Sequence, residues 1–191
     1  MKIGLFGGTF NPPHFGHLWI AQQALDFTDL DEVWFLPGYR HTFQKPAASV
    51  EHRRNMTELL IQSQPESLRL RLRLCSLEID HQLDGNTIHV VEHLPKEHSY
   101  HFIIGSDQLP TFHLWGEWEK LLTTLPFLIF PRYGYPNEPL YPGMTMINDP
   151  SLIVCNMSST KIRERIARDL SIEQFVPEQV VEYIQKNKLY V

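Results

Sequence analysis

The order of segments along the 191 residues predicts an α/β protein, a doubly wound and mainly parallel sheet with helices on both faces. Three observations carry that reading. Short apolar runs rich in strand formers recur along the chain, amphipathic stretches separate most of them, and the first run breaks at two glycines just before a helix. Parallel strands need a connection long enough to hold a helix, so this alternation implies right-handed crossovers covering the sheet on both sides.

Taken in order, KIGLF (2–6) is a short apolar run and reads as the first strand, and WIAQQALDF places apolar residues at helical spacing, so a helix is expected over 18–27. EVWFLP (32–37) is the second strand, followed by an amphipathic stretch over 52–62. LRLRLCSLEI (70–79) alternates as a strand does, and a helix is expected over 87–94. YHFIIG (100–105) and PFLIFP (126–131) are apolar throughout, as strands buried on both faces are, with a helix over 115–122 between them. SLIVC (151–155) is the last expected strand, before helices over 160–168 and 177–186. PGYRHTFQKPAASVE and PRYGYPNEPLYPG lack periodicity and are rich in proline, glycine and aromatics, so both read as long loops. No composition shift, repeat or low-complexity segment divides the chain, and one domain is expected over 1–191.

Composition narrows the function. The formal net charge is −5, so no overall basic field argues for nucleic acid, and an anion site must be built from a few local groups. A small-molecule substrate is expected. Cys75 and Cys155 each lie inside an apolar run with no CxxC or Cys/His ligand spacing, and both are expected as buried free thiols. The first apolar run stops at the glycines, and no run has membrane length, so no membrane role and a cytoplasmic location are expected. The oligomeric state stays open.

The turn KIGLFGGTFNPPHFGHLWIAQQ concentrates the chemistry. Gly7 and Gly8 remove side chains where backbone approaches a ligand, Thr9 adds a hydroxyl, and the helix after Gly16 turns free amides and its positive end to the same spot. Phosphate fits such a place. The pattern is neither a Walker loop, which needs a lysine and a hydroxyl after its last glycine, nor GxGxxG. His14 and His17, three apart at a helix start, can point into one crevice. A zinc site would need two further ligands that no nearby cysteine pair or HExxH supplies, so no metal ligand is assigned.

GGTFNPPHFGH resembles the GGTFDPxHxGH signature of the HxGH nucleotidyltransferase superfamily, and MSSTKIRERI resembles its second signature, ISSTxIR. Between them, FIIGSDQLPTFHLWGEW is similar to the GxDxxxxxxxW segment of nicotinate-nucleotide adenylyltransferases, and FVPEQVVEYIQKNKLY to that family's ending. The resemblance runs from residue 2 to residue 190 in one order. It implies a Rossmann-like sheet and transfer of AMP from ATP to nicotinate mononucleotide, releasing pyrophosphate, in NAD synthesis.

The resemblance also implies roles. His14, His17 and Arg163 would be catalytic, and Gly7, Gly8, Thr9, Phe10, Lys45, Gly105, Asp107, Ser158, Ser159 and Thr160 would bind ATP and its phosphates. Thr87, Ile88, Trp115 and Arg132 would hold the acceptor, and Mg²⁺ would arrive with ATP. Independently of the family, the serines and Thr160 are helix-capping types, so the helix they open offers amides to phosphate, with Arg163 one turn in. Gly105 and Asp107 follow a strand, where an acid can take ribose hydroxyls. Trp118 reads as packing.

Two segments depart from the family. YRHTFQKP stands where relatives carry PPHK, leaving Lys45 as the matching cation. GNTIHVV stands where relatives show SYTxDT, with His89 and Val90 in place of Asp and Thr and His89 as a possible added donor to the acceptor ring. The alternatives are the same reaction on another acceptor, such as nicotinamide mononucleotide or pantetheine phosphate, and a nucleotide-binding regulator without turnover.

Overall fold

The computed structural model describes residues 1–40 and 48–191; Lys45 lies outside the described residues. Six strands form one sheet: β1 (Lys2–Gly8), β2 (Glu32–Pro37), β3 (Leu72–Leu74), β4 (Ser99–Gly105), β5 (Phe127–Phe130) and β6 (Met144–Met146). Their order is β3-β2-β1-β4-β5-β6 and every pairing is parallel. The winding reverses between β1 and β4. Side chains on successive strand residues point to opposite faces, and both faces here are apolar, which is why these strands read as unbroken hydrophobic runs. Phe6, Val33, Phe35, Ile103, Leu128 and Phe130 join one core cluster, with residues of α1 (Phe15–Phe27) and α2 (Val50–Gln62). Ile3, Leu5, Leu36, Phe102, Ile104, Phe127 and Ile129 join another, with residues of α5 (Thr87–His93), the 3-10 helix Ser106–Leu114 and α6 (Trp118–Thr124).

Two short helices, α3 (Glu66–Arg69) and α4 (Leu77–Asp80), flank β3, and α7 (Ser159–Ile166) and α8 (Glu178–Lys186) close the chain. A third cluster packs Ile162 of α7 and Val180, Val181 and Ile184 of α8 on Met56 of α2. Among the described residues no helix is long and apolar enough to cross a membrane.

The expected alternation holds, with four corrections. In LRLRLCSLEI only Leu72–Leu74 pairs; Leu77, Glu78 and Ile79 turn into α4, which lets Glu78 leave the strand direction. The helix expected over 115–122 starts later, as α6 at Trp118, because Glu117 takes a left-handed backbone (φ 51) just before it, and an unexpected 3-10 helix, Ser106–Leu114, precedes it. SLIVC is not a strand, and the sixth strand is Met144–Met146. Ile153 instead pairs with a side chain: its N–H donates to Gln23 Oε1 at 2.5 Å, and its carbonyl accepts from Gln23 Nε2 at 3.0 Å. The carboxamide of α1 thus supplies the donor and acceptor that a neighbouring strand would. Finally, Cys75 is buried but Cys155 is only half-buried, and both are free.

Gln23→Leu removes both bonds to a backbone that water can still reach at Ile153, which is 67% exposed. The cost should be about 1 kcal/mol, a fall of roughly 2–4 °C in the thermal midpoint. Unchanged melting would show that the carboxamide contributes nothing to holding this segment.

Candidate active site

The carboxyl ends of β1, β2, β4 and β5 surround a cavity of about 400 Å³ at the point where the winding reverses, the place where open α/β sheets bind ligands. Gly7, Gly8, Thr9, His14 and His17 line it from β1 and the turn into α1, Gly105 and Asp107 from the end of β4, and Arg132 from the end of β5. Ser158 and Ser159 line it from the start of α7, and Thr87 and Trp115 form its far side. Phe10, Ile88, Thr160 and Arg163 do not line it.

The glycines have packing reasons. A Cβ on Gly7 would lie 2.6 Å from the Phe102 ring, and one on Gly8 would lie 3.0 Å from the Phe10 ring. One on Gly16 would lie 3.0 Å from the His14 ring and 3.2 Å from Met157 Cβ, and one on Gly105 would strike the Asp107 carboxylate. Close approach of protein to protein, as well as of ligand, excludes side chains here. Phe10 is buried with a left-handed backbone (φ 49), held by the rings of Phe6 at 5.8 Å and Phe35 at 5.5 Å, and its own ring meets His17 at 4.9 Å. It props the histidine from behind.

His14 and His17 stack with centroids 3.7 Å apart and planes at 23°. The His14 backbone N–H donates to His17 Nδ1 at 3.1 Å, which leaves the His17 proton on Nε2. His14 is 3% exposed, and its Nδ1 is buried with no hydrogen-bond partner among the described residues. Burial first, then the charge of Arg132, pushes His14 down to about 3. Burial, then His14 and Arg132, hold His17 well below the ordinary imidazole range. Both rings are neutral at pH 7 and present themselves as hydrogen-bond donors, not cations.

The fixed cation beside them is Arg132. Its Nη2 donates to the Met157 carbonyl at 3.1 Å, its Nε lies 3.8 Å from Asp107 Oδ1, and its backbone N–H donates to Ser106 Oγ at 2.9 Å. Ser158 caps α7, accepting the Lys161 N–H at 3.3 Å, and the Ser159 hydroxyl donates to the Pro12 carbonyl at 2.8 Å. Arg163 sits behind the wall: its Nη1 donates to the Asn11 carbonyl at 2.7 Å and its Nη2 to Thr160 Oγ1 at 3.2 Å, while Thr160 is exposed. The two signatures, nearly 150 residues apart, are therefore in direct contact.

On the far side, Trp115 leans on Phe112 at 5.2 Å and meets Phe102 edge-on at 6.1 Å. Trp118 packs on Tyr141 at 5.0 Å and Phe112 at 6.4 Å. Asn86 sits so close over Gly116 that a Cβ there would strike its amide, and Asp84 holds Asn86 through its N–H at 3.0 Å and its Nδ2 at 2.8 Å. Ile88 is core, 1% exposed, and does not line the cavity. The expectation for His89 fails: its ring is turned to the surface, pairs with Asp84 at 2.9 Å and does not line the cavity. With Asp84 and Glu117 next to it, an exposed imidazole gains more from those carboxylates than from the cavity.

Sequence reasoning missed Arg40, Glu78, Asn86, Gln108 and Met157, all of which line the cavity. None belongs to a signature position that names a chemistry. Asn86, Gln108 and Met157 stand next to residues that were singled out, Thr87, Asp107 and Ser158.

The neutral histidines leave a mark on stability. The unfolded chain binds a proton on each histidine below about pH 6.5 whereas the folded chain binds none until far lower, so the folded state loses ground as pH falls from 6.5 toward 3. Each group contributes a slope of the order of 1 kcal/mol per pH unit within that window. Chemical denaturation between pH 7 and 4 should give a clearly shallower loss for His14→Gln than for the unaltered protein. Equal slopes would mean that His14 is not carried neutral.

The model of the cytidylyltransferase-like family matches residues 5–165. A protein of Lactiplantibacillus plantarum named probable nicotinate-nucleotide adenylyltransferase is 37% identical over 194 residues, covering 99% of this chain and 88% of its own. One of the same name from Bacillus cytotoxicus is also 37% identical, covering 99% and 98%. Among solved structures, the nicotinic acid mononucleotide adenylyltransferase of Plasmodium falciparum in complex with NaAD superposes with a TM-score of 0.85 at 23% identity, over 99% of this chain and 97% of that one. The fold, the two docked signatures and full-length relatives at this identity lead to one statement: the chain belongs to the nicotinate-nucleotide adenylyltransferase family, within the cytidylyltransferase-like nucleotidyltransferases.

Proposed function

We propose that this protein transfers the adenylyl group of ATP to nicotinate mononucleotide, forming nicotinate adenine dinucleotide and pyrophosphate in NAD synthesis. The observation that carries the proposal is the contact between the two signatures, which puts the His14/His17 pair and the start of α7 on one wall of a cavity whose far side carries Trp115, Asn86 and Thr87. One wall suits phosphates and the other a flat ring.

The chemistry asks for positioning more than proton transfer. A mononucleotide phosphate is already an anionic nucleophile at neutral pH. One of its oxygens attacks the α-phosphorus of ATP in line, the bond to the bridging oxygen of the β-phosphate breaks, and pyrophosphate leaves with the electron pair. Charge grows on the departing group. In this reading the Nε2–H of His17, His14, the Gly7 and Gly8 amides, Thr9, Ser158 and Ser159 donate to phosphate oxygens, and Arg132 supplies a fixed charge beside them. Arg163 acts from behind, holding the Asn11 carbonyl so that the loop keeps its shape. Asp107, whose carboxylate lies over Gly105, takes ribose hydroxyls of ATP. Thr160 supports Arg163, Phe10 supports His17, and Lys45 remains a proposed phosphate cation. Mg²⁺ comes in with ATP as part of the substrate: among the described residues no three His, Cys, Asp or Glu side chains converge on a point that could hold it, so the protein's donor set does not fit a resident metal and no step is assigned to one.

His17→Ala should lower kcat by about 100-fold, the loss seen when one preorganised donor to a developing oxyanion is removed, with a thermal midpoint only a few degrees lower. Full activity in that variant would remove His17 from the phosphate site.

The acceptor's substituent is read on the far side. With His89 turned away, this reading assigns the acceptor's substituent to the backbone amides at the start of α5, where Asn86 and Thr87 line the cavity. Amides at a helix start favour an anion over a neutral carboxamide. Pyrophosphate release with ATP, Mg²⁺ and a panel of acceptors should show nicotinate mononucleotide preferred over the amide form by at least about tenfold in kcat/KM, roughly 1.4 kcal/mol of transition-state binding. Equal efficiencies would move the protein to the amide reading, and no turnover with any acceptor to the regulator reading.

A further inference from the structure

On the β2 side of the cavity two charged side chains take no part in the reaction set out above. Glu78, in α4, is 7% exposed and lines the cavity, and its Oε1 accepts the Tyr39 N–H at 2.8 Å. Arg53, in α2, is 4% exposed and spends its guanidinium on three carbonyls: Thr9 at 3.0 Å, Tyr39 at 3.3 Å and Ala48 at 3.3 Å. One residue, Tyr39, is therefore gripped at both ends, its N–H by the buried acid and its C=O by the buried base. Just before it, the Gly38 N–H donates to the Gly8 carbonyl at 3.1 Å. The turn that leaves β2 is held at three points, two of which, Gly38 and the Arg53 bridge, tie it to the phosphate loop, and the next residue, Arg40, lines the cavity.

Buried charges are expensive to keep, and neutral groups could pin a turn at lower cost. What the Tyr39 bond requires is an acceptor oxygen within reach of the N–H, and that bond holds the peptide unit in one orientation. That orientation decides where the side chain of the following residue goes. We infer that Glu78 is a positioning residue, which by holding the Tyr39 amide aims the Arg40 guanidinium into the cavity at a substrate phosphate. The inference rests on the adenylyl-transfer reading for the identity of the phosphate, and on the structure alone for the clamp.

Four variants separate reach from charge: Arg40→Ala, Glu78→Gln, Glu78→Asp and the double variant E78D/R40A. Glu78→Gln keeps an oxygen at the right distance without the charge, whereas Glu78→Asp keeps the charge on a stem one carbon too short. The Kd of ATP and of nicotinate mononucleotide, each titrated alone by calorimetry, and kcat and KM for both should be measured on all four. Arg40→Ala is expected to raise the Kd and KM of one nucleotide by about 5- to 20-fold, as loss of a charge-assisted phosphate contact does, with the larger effect on KM. Glu78→Asp should raise the same constants to a similar degree, the double variant should be no worse than either single one, and Glu78→Gln should stay within about threefold of the unaltered protein. The reverse order, with Glu78→Gln impaired and Glu78→Asp near normal, would overturn the inference, as would additive effects in the double variant. Absence of turnover in the unaltered protein with this binding pattern intact would defeat the adenylyl-transfer reading and leave the clamp standing.

Discussion

The structure depends on how the turn NPPHFG satisfies its backbone. Pro12 and Pro13 have no N–H to give, and the turn follows no regular ladder, so the carbonyls of Asn11 and Pro12 need donors from elsewhere. They come from the other end of the chain: Arg163 donates to Asn11 and Ser159 to Pro12, while Gly16 gives its N–H to Met157 Sδ at 3.3 Å. The Asn11 carboxamide oxygen takes the Tyr190 hydroxyl at 2.7 Å and the Ala48 N–H at 3.1 Å. Each such bond is worth about 1 kcal/mol net, but leaving a buried carbonyl unpaired costs more than the bond contributes. The phosphate loop therefore has its shape only when the carboxyl-terminal third has folded onto it.

This arrangement places the electrostatics in a particular order. A chain of net charge −5 builds an anion site by setting a few arginines around neutral donors. Burial first, with the charge of Arg132 adding to it, holds the protons off both histidines, so the buried imidazoles stay uncharged. An incoming polyphosphate offsets Arg132 and meets imidazole N–H groups whose orientation is already fixed by stacking and by the His14–His17 bond. Donors that need not reorient as charge develops are the ones that accelerate the step.

Much of this was legible in the residues. β2 lies where EVWFLP placed it, and the histidine spacing pointed into one crevice, because both features depend on local pattern alone. What depends on distant partners was not. SLIVC has the composition of a strand, yet a glutamine carboxamide of α1 occupies the place of its neighbour. Gly7 and Gly105 looked like openings for a ligand, and the structure adds Phe102 and the Asp107 carboxylate as the atoms that need the room. Glu78 lay in a run that alternated like a strand and so gave no sign that α4 would turn its carboxylate to the cavity. His89 was read by its position in a motif, whereas its place is decided by Asp84 and Glu117 on the surface.

The two walls of the cavity are held by separate sets of contacts, and this accounts for where the sequence departs from its family. The phosphate wall rests on bonds between the signatures, so a change at Asn11, Ser159 or Arg163 would be felt across the chain. The far wall rests on a local turn: Asp84 grips Asn86, Asn86 lies over Gly116, and Trp115 follows from that. The His89 side chain meets it at Asp84, with Glu117 farther off, at an exposed site where an ion pair contributes little. The His89 side chain can therefore differ from the family pattern without disturbing the turn that shapes the ring site, whereas GGTFNPPHFGH and SST must agree with each other because each supplies the other's missing hydrogen-bond partners.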